Sequence, residues 1–207
     1  MQNNPDIFSA QTMPILVAAI HAHNAYGADI IMRILGDMHR ALGATSYSAL
    51  GLGASAKTTE VRANAAEALA SLVDRGMFDT TLFAKELYWL LDQHHVMAQR
   101  IEQTFRDAAL ISSLAGWRIM QVLEGILPAV GEVNRGGTLV QLLAQLAGEY
   151  GVSIKIPEVL RPKMKGSTVL AKSLRALEKL QPHPTELAEQ ARDQAQELLY
   201  QHRCAQP

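Results

Sequence analysis

The sequence predicts an all-α fold, with helical hairpins stacked as a short α-solenoid and closed by a C-terminal capping helix. Three observations predict it. Apolar residues recur at three- and four-residue spacings along most of the 207 residues, and no run alternates long enough for a strand. Ala and Leu dominate while aromatics are only 5%, the make-up of close-packed helices rather than sheets. The segment from Trp117 to Leu180 alternates amphipathic stretches with short Gly- and Pro-punctuated breaks.

The elements follow in order. A first helical pair spans about Met13–Tyr26 and Ala28–Leu42, divided by Gly27 and ended by Gly43. Pro14 suits a first-turn position, where its missing N–H costs nothing. Gly43 to Ala56 is rich in Gly and Ser and is expected to be a flexible loop. A helix over Thr59–Arg75 carries Val61, Ala65, Leu69, Leu72 and Val73 on one face, and Gly76 stops it. Asp79 or Thr80 caps the next helix, whose stripe is Leu82, Phe83, Leu87, Leu90 and Leu91. Core packing is expected for Trp89, and its neighbour Tyr88 then points outward.

From Val96, a stripe of Met97, Ile101, Phe105 and Ala108 defines another helix, with Glu102 and Arg106 paired at i,i+4. Gly116 marks the turn into a more apolar helix with Trp117, Met120, Leu123, Ile126 and Leu127. The last pair is Leu139–Tyr150 and Val169–Leu180, joined through a loop with a short helix near Glu158–Leu160. After Pro182 and Pro184, a helix over Thr185–Arg203 carries Leu187, Ala191, Ala195, Leu198 and Leu199. The predicted organisation is an N-terminal hairpin over 1–43, a flexible loop over 44–58, helical repeats over 59–181, and a C-terminal helix and tail over 182–207.

The first helices of three successive pairs start near Thr59, Met97 and Thr138, a period of roughly 40 residues that suits HEAT-type hairpins. Residues 60–76, an Arg followed by an Ala-rich face, resemble a HEAT-repeat helix. The segment 117–180, with Leu-Pro at 127–128, Leu-Ala-Gln-Leu-Ala at 143–147, Ile-Pro at 156–157 and Lys-Gly-Ser at 165–167, resembles the HEAT-like C-terminal region of large bacterial proteins of unknown function. Relatives of these are encoded beside MoxR-type AAA ATPases and von Willebrand A-domain proteins. The resemblance implies a helical-repeat fold and no catalytic residues.

A formal net charge of −1 argues against a general polyanion binder. One cysteine, Cys204, forms no internal disulfide and favours a reducing cytoplasm. The longest early apolar run, Ile15 to Ile20, is far short of the roughly 20 residues of a membrane span. No basic segment opens the chain as a secretory signal would.

Candidate chemistry is thin. Gly51 to Thr58 approaches the phosphate-loop pattern G-x-x-x-x-G-K-[ST], with Lys57 in place. Ala56 replaces the last Gly and no strand precedes it, so a flexible loop is the better reading. His21 and His23 are two apart and point nearly oppositely on a helix. Asp92, His94 and His95 lack the second carboxylate–His pair of a metal site. No G-x-S-x-G is present, and no carboxylate pair stands out. Neither catalytic, cofactor-binding nor metal-binding residues are predicted.

Between Lys155 and Lys179 seven basic residues face only Glu158 and Glu178. The acidic last helix is expected to neutralise them in part. The expectation for function is a non-enzymatic protein-interaction scaffold of a bacterial cytoplasmic protein. Its partner is another protein with an acidic surface, met by Arg118, Gln121, Lys172, Arg175 and Lys179 on the second helices of the last hairpins. The alternatives are a nucleotide-dependent enzyme using Gly51–Thr58, and a nucleic-acid binder using Lys155–Lys179. The latter lacks the aromatic residues of a single-strand binder.

Overall fold

The computed structural model describes residues 25–37, 44–93, 95–183 and 185–204. Among these the chain is all-α, with no strand. The helices are α1 (Ala25–Asp37), α2 (Ala44–Ala54), α3 (Thr59–Asp74), α4 (Thr80–Gln93), α5 (His95–Ala109), α6 (Ser113–Glu132), α7 (Gly137–Glu149), α8 (Val169–Lys179) and α9 (Glu186–Cys204). Short 3-10 helices, Asn134–Gly136 and Glu158–Met164, lead into α7 and α8.

Helix α3 shows how local sequence sets these bounds. Its predicted stripe, Val61, Ala65, Leu69, Leu72 and Val73, is buried. Gly76 ends it at φ +67°, a conformation other residues reach only with strain. The Gly76 N–H donates to Val73 O and the Met77 N–H to Leu72 O, the paired bonds of a Schellman stop. Asp79 then caps α4, its Oδ1 accepting from the Thr81 and Leu82 N–H groups at 2.9 and 3.0 Å. In α5, Ile101, Phe105 and Ala108 are buried, and Glu102 and Arg106 pair at 2.6 Å.

Packing joins alternate helices. α1 lies on α3, α3 on α5 and α5 on α7; α2 lies on α4 and α4 on α6. At the C-terminal end the pattern changes: α8 packs back on α7, and α9 lies against α6. One continuous apolar core runs through the array.

Several expectations are corrected. Most of the segment expected as a loop is helix: residues 44–54 form α2, and Tyr47, Ala49, Leu50, Leu52 and Ala54 are buried. Its glycines serve close approach. A Cβ on Gly51 would stand 2.8 Å from Leu90 Cδ1, and one on Gly53 would collide with the Met32 thioether. Gly27 falls within α1 rather than between two helices; most of the predicted Met13–Tyr26 helix lies outside the described residues. Gly116 falls inside α6, whose first turn is capped by Ser112 Oγ at 3.0 Å from the Ala115 N–H. α6 also continues through Pro128, which is exposed, so the carbonyl left without a donor faces water. On α9 the packed residues are Ala188 and Ala191, while Leu187 and Leu198 are exposed. Small residues let the helix approach α6 closely, and Arg192 lies over the Trp117 ring at 5.7 Å.

Candidate protein-interaction surface

Helix α4 turns Phe83, Leu87, Leu90 and Leu91 inward. Residues 88 and 89 each stand roughly a quarter-turn or more from that stripe, so both aromatics face out. Trp89 is 53% exposed and Tyr88 42%. This corrects the expectation that Trp89 packs in the core: four large side chains already fill the inward stripe.

α6 runs beside α4. A Cβ on Gly125 would stand 3.4 Å from Thr80 Cγ2, which fixes one end of the seam. At the other end Arg135 Nη1 donates to Asp92 O at 2.7 Å. The two helices therefore run in the same direction and form one wall. Tyr88 and Trp89 sit toward the end shared with exposed Pro128 and Glu132, and exposed Gln121 toward the opposite end.

The other predicted contact residues divide into free and engaged groups. Arg118 is half-buried, close enough to Asp74 at the end of α3 to act on its charge but not hydrogen-bonded to it through Nε, which is buried without a partner. Burial raises the Asp74 carboxyl pKa, and the Arg118 guanidinium pulls it part of the way back. Arg175 donates through Nη1 to Met164 O and, at 2.9 Å, to Gly166 O. It therefore clasps the turn before α8. Lys172 and Lys179 are exposed on the side of α8 opposite Leu170, Leu174 and Leu177. Since α8 packs on α7 and shares no extensive contact with α6, the structure does not bring the α6 and α8 sets together.

A groove of about 410 Å³ lies between the end of α5, the turn into α6, and α7. Sequence reasoning did not find it, because its walls come from segments nearly forty residues apart. Arg106 bonds Glu102 and, at 2.9 Å, Gln145 Oε1, and Gln145 Nε2 donates to Glu149 at 2.9 Å. Tyr150 donates its hydroxyl to Ser113 O at 2.7 Å. Burial raises its pKa, and the Glu149 charge adds to that. These polar groups hold one another.

The Gly51–Thr58 segment does not form a phosphate cradle. Residues 51–54 are the last turn of α2, and the Ser55 and Ala56 N–H groups donate to Gly51 O and Gly53 O. Arg62 Nη1 bonds the Ala56 and Lys57 carbonyls at 2.7 and 2.9 Å. The Ser55 and Ala56 amides are therefore used within the turn rather than turned to a phosphate. His21, His23 and His94 lie outside the described residues, as do the side chains of His95 and Cys204. Among the described residues no group of three His, Cys, Asp or Glu side chains could hold a metal, and no helix is long and apolar enough to cross a membrane. Comparison with protein-family models, with curated proteins and with solved structures returns no match.

Proposed function

We propose that this chain is a non-enzymatic protein-interaction module, built as a short HEAT-like α-solenoid, whose partner lies against the wall of α4 and α6. One observation carries the reading: two adjacent aromatics, Tyr88 and Trp89, stand exposed on a regular helix whose core-facing stripe is already filled. Large rigid aromatics on a surface are the side chains that dominate binding energy when a partner covers them. The stacking of alternate helices supports the solenoid, since in such arrays each hairpin touches its neighbours and presents an extended face. Gln121 belongs to the same wall. Lys172 and Lys179 make a second, separate surface suited to an acidic partner, whereas Arg118 is half-buried and Arg175 is bonded within the fold.

The test is affinity capture from the native host with the wild-type chain and with Trp89→Ala, alongside thermal melts of both. The reading expects specific partners that bind wild type and are lost or weakened at least about tenfold with Trp89→Ala, at nearly unchanged melting temperature. Identical capture by the two proteins would remove the α4–α6 wall as the binding face.

A further inference from the structure

The acidic helix α9 is expected to neutralise the basic stretch before it, yet among the described residues no ion pair joins the two. α9 lies against α6 and α8 against α7, with no extensive contact between α8 and α9. On α8, Lys172 and Lys179 are seven residues apart and face away from buried Leu170, Leu174 and Leu177. On α9, Glu186 and Asp193 are also seven residues apart and face away from buried Ala188 and Ala191. Glu197 continues the same outer stripe. Neither lysine forms an ion pair with a described residue, and neither do Glu186 and Asp193.

We propose that these two stripes are the halves of a self-association surface, α8 of one copy docking antiparallel on α9 of another. Charge complementarity argues for this occupant. Seven residues of helix rise about 10 Å, so both charge pairs have the same two-turn spacing and meet in one register, Lys172 with Asp193 and Lys179 with Glu186. Small Ala176 lies between the two lysines and lets the helices approach. Arg161, bonded to Glu158 at 3.0 Å and Glu178 at 3.5 Å, and Arg175, bonded to the preceding turn, are already paired, which leaves the two lysines as the open cations of α8. Such pairs set register and partner choice more than raw affinity, so the association is reversible and salt-sensitive. The inference takes up the acidic-partner part of the reading above and leaves the Trp89 wall untouched.

The test is sedimentation equilibrium of the full chain over a concentration series, in low salt and in about 0.5 M salt, where such charges are largely screened. Wild type should rise above the 22.6 kDa monomer in low salt and fall back in high salt. K172E/K179E alone and E186K/D193K alone should each weaken association by roughly tenfold or more, because each places like charges opposite one another. An equimolar mixture of the two should associate again, and so should the fourfold variant, in which the charges are exchanged. A wild type monomeric throughout in low salt overturns the proposal, as does a mixture that fails to recover. Loss with K172E/K179E but not with E186K/D193K also overturns it, and assigns α8 to a different acidic protein. Melts of all variants guard against misfolding. Capture through Trp89 is unaffected by any of these results.

Discussion

Helices α2 and α9 are held helical by opposite means. α2 has eleven residues, among them two glycines, two serines and a threonine, a poor composition for a helix. Yet Ser46, Tyr47, Ala49, Leu50, Leu52 and Ala54 are all buried, and α2 meets α1, α3, α4 and α5. α9 has nineteen residues rich in Glu, Gln, Ala, Leu and Arg, all good helix formers. Of its described side chains only Ala188 and Ala191 are buried. The first is a helix because its surroundings require one. The second is a helix largely by its own propensity, and its length carries it past the roughly 12–15 residues below which isolated helices are marginal. A buried helix tolerates poor helix formers and no change of shape; an exposed one tolerates changes of shape and few poor helix formers.

The sharpest way to break this comparison is at Tyr47. Its ring is fully buried and meets Phe78 edge-on at 5.4 Å and Phe83 at 5.9 Å. Its hydroxyl accepts at 2.5 Å from the N–H of Asp79, the residue that caps α4. Burial raises the hydroxyl pKa, so it stays protonated well above neutral pH. Tyr47→Ala leaves a cavity and an orphaned N–H, and should cost about 3–5 kcal/mol in chemical denaturation. A loss under about 1 kcal/mol would mean that α2 is not a core element.

The same contrast explains what the sequence disclosed. α3, α5 and α8 carry their apolar residues at helical spacing with polar residues opposite, so their register was readable from the chain. Gly76 marks the end of α3 and Asp79 the start of α4 by local chemistry alone. α2 carries no such signal, since a helix buried on every side has no polar face to give a period. Its Gly and Ser content reads as a loop unless one knows that Met32 and Leu90 press against residues 53 and 51. Trp89 is hard to place for a related reason: periodicity assigns two neighbouring aromatics to one helix, and only packing determines that neither points in. Of the charged surface, Lys172 and Lys179 were legible as a stripe. The half-burial of Arg118 beside Asp74 and the clasp of Arg175 on the turn at 164–166 were not, because both are set by tertiary structure.

A smaller effect sharpens the comparison by sign. Gly→Ala in an exposed helix interior stabilises by about 0.5–1 kcal/mol. At Gly53 the new methyl would collide with Met32 Sδ and stand 2.9 Å from Met32 Cε, in a side chain that is fully buried. Overpacking of this kind costs about 1–3 kcal/mol. Gly53→Ala should therefore lower the denaturation midpoint, with the slope unchanged. A rise in the midpoint would show that Met32 can move aside, and that α2 is packed more loosely than its neighbours imply.

The smallest effect belongs to α9, and there propensity alone decides. Gln194 is exposed in the middle of the helix, and the structure gives its side chain no hydrogen bond within the described residues. Gln194→Gly removes no packing, yet it gives the unfolded chain more freedom and should cost about 0.5–1 kcal/mol. Gln194→Ala removes the same polar group and should be neutral or slightly stabilising. One outcome would contradict the account. If Gln194→Ala costs as much as Gln194→Gly, the side chain is making a contact in solution, and the outer face of α9 is covered, as self-association through the adjoining Asp193 would cause. Repeating both melts at low and high protein concentration separates that case: a propensity effect does not depend on concentration, whereas a lost intermolecular contact does.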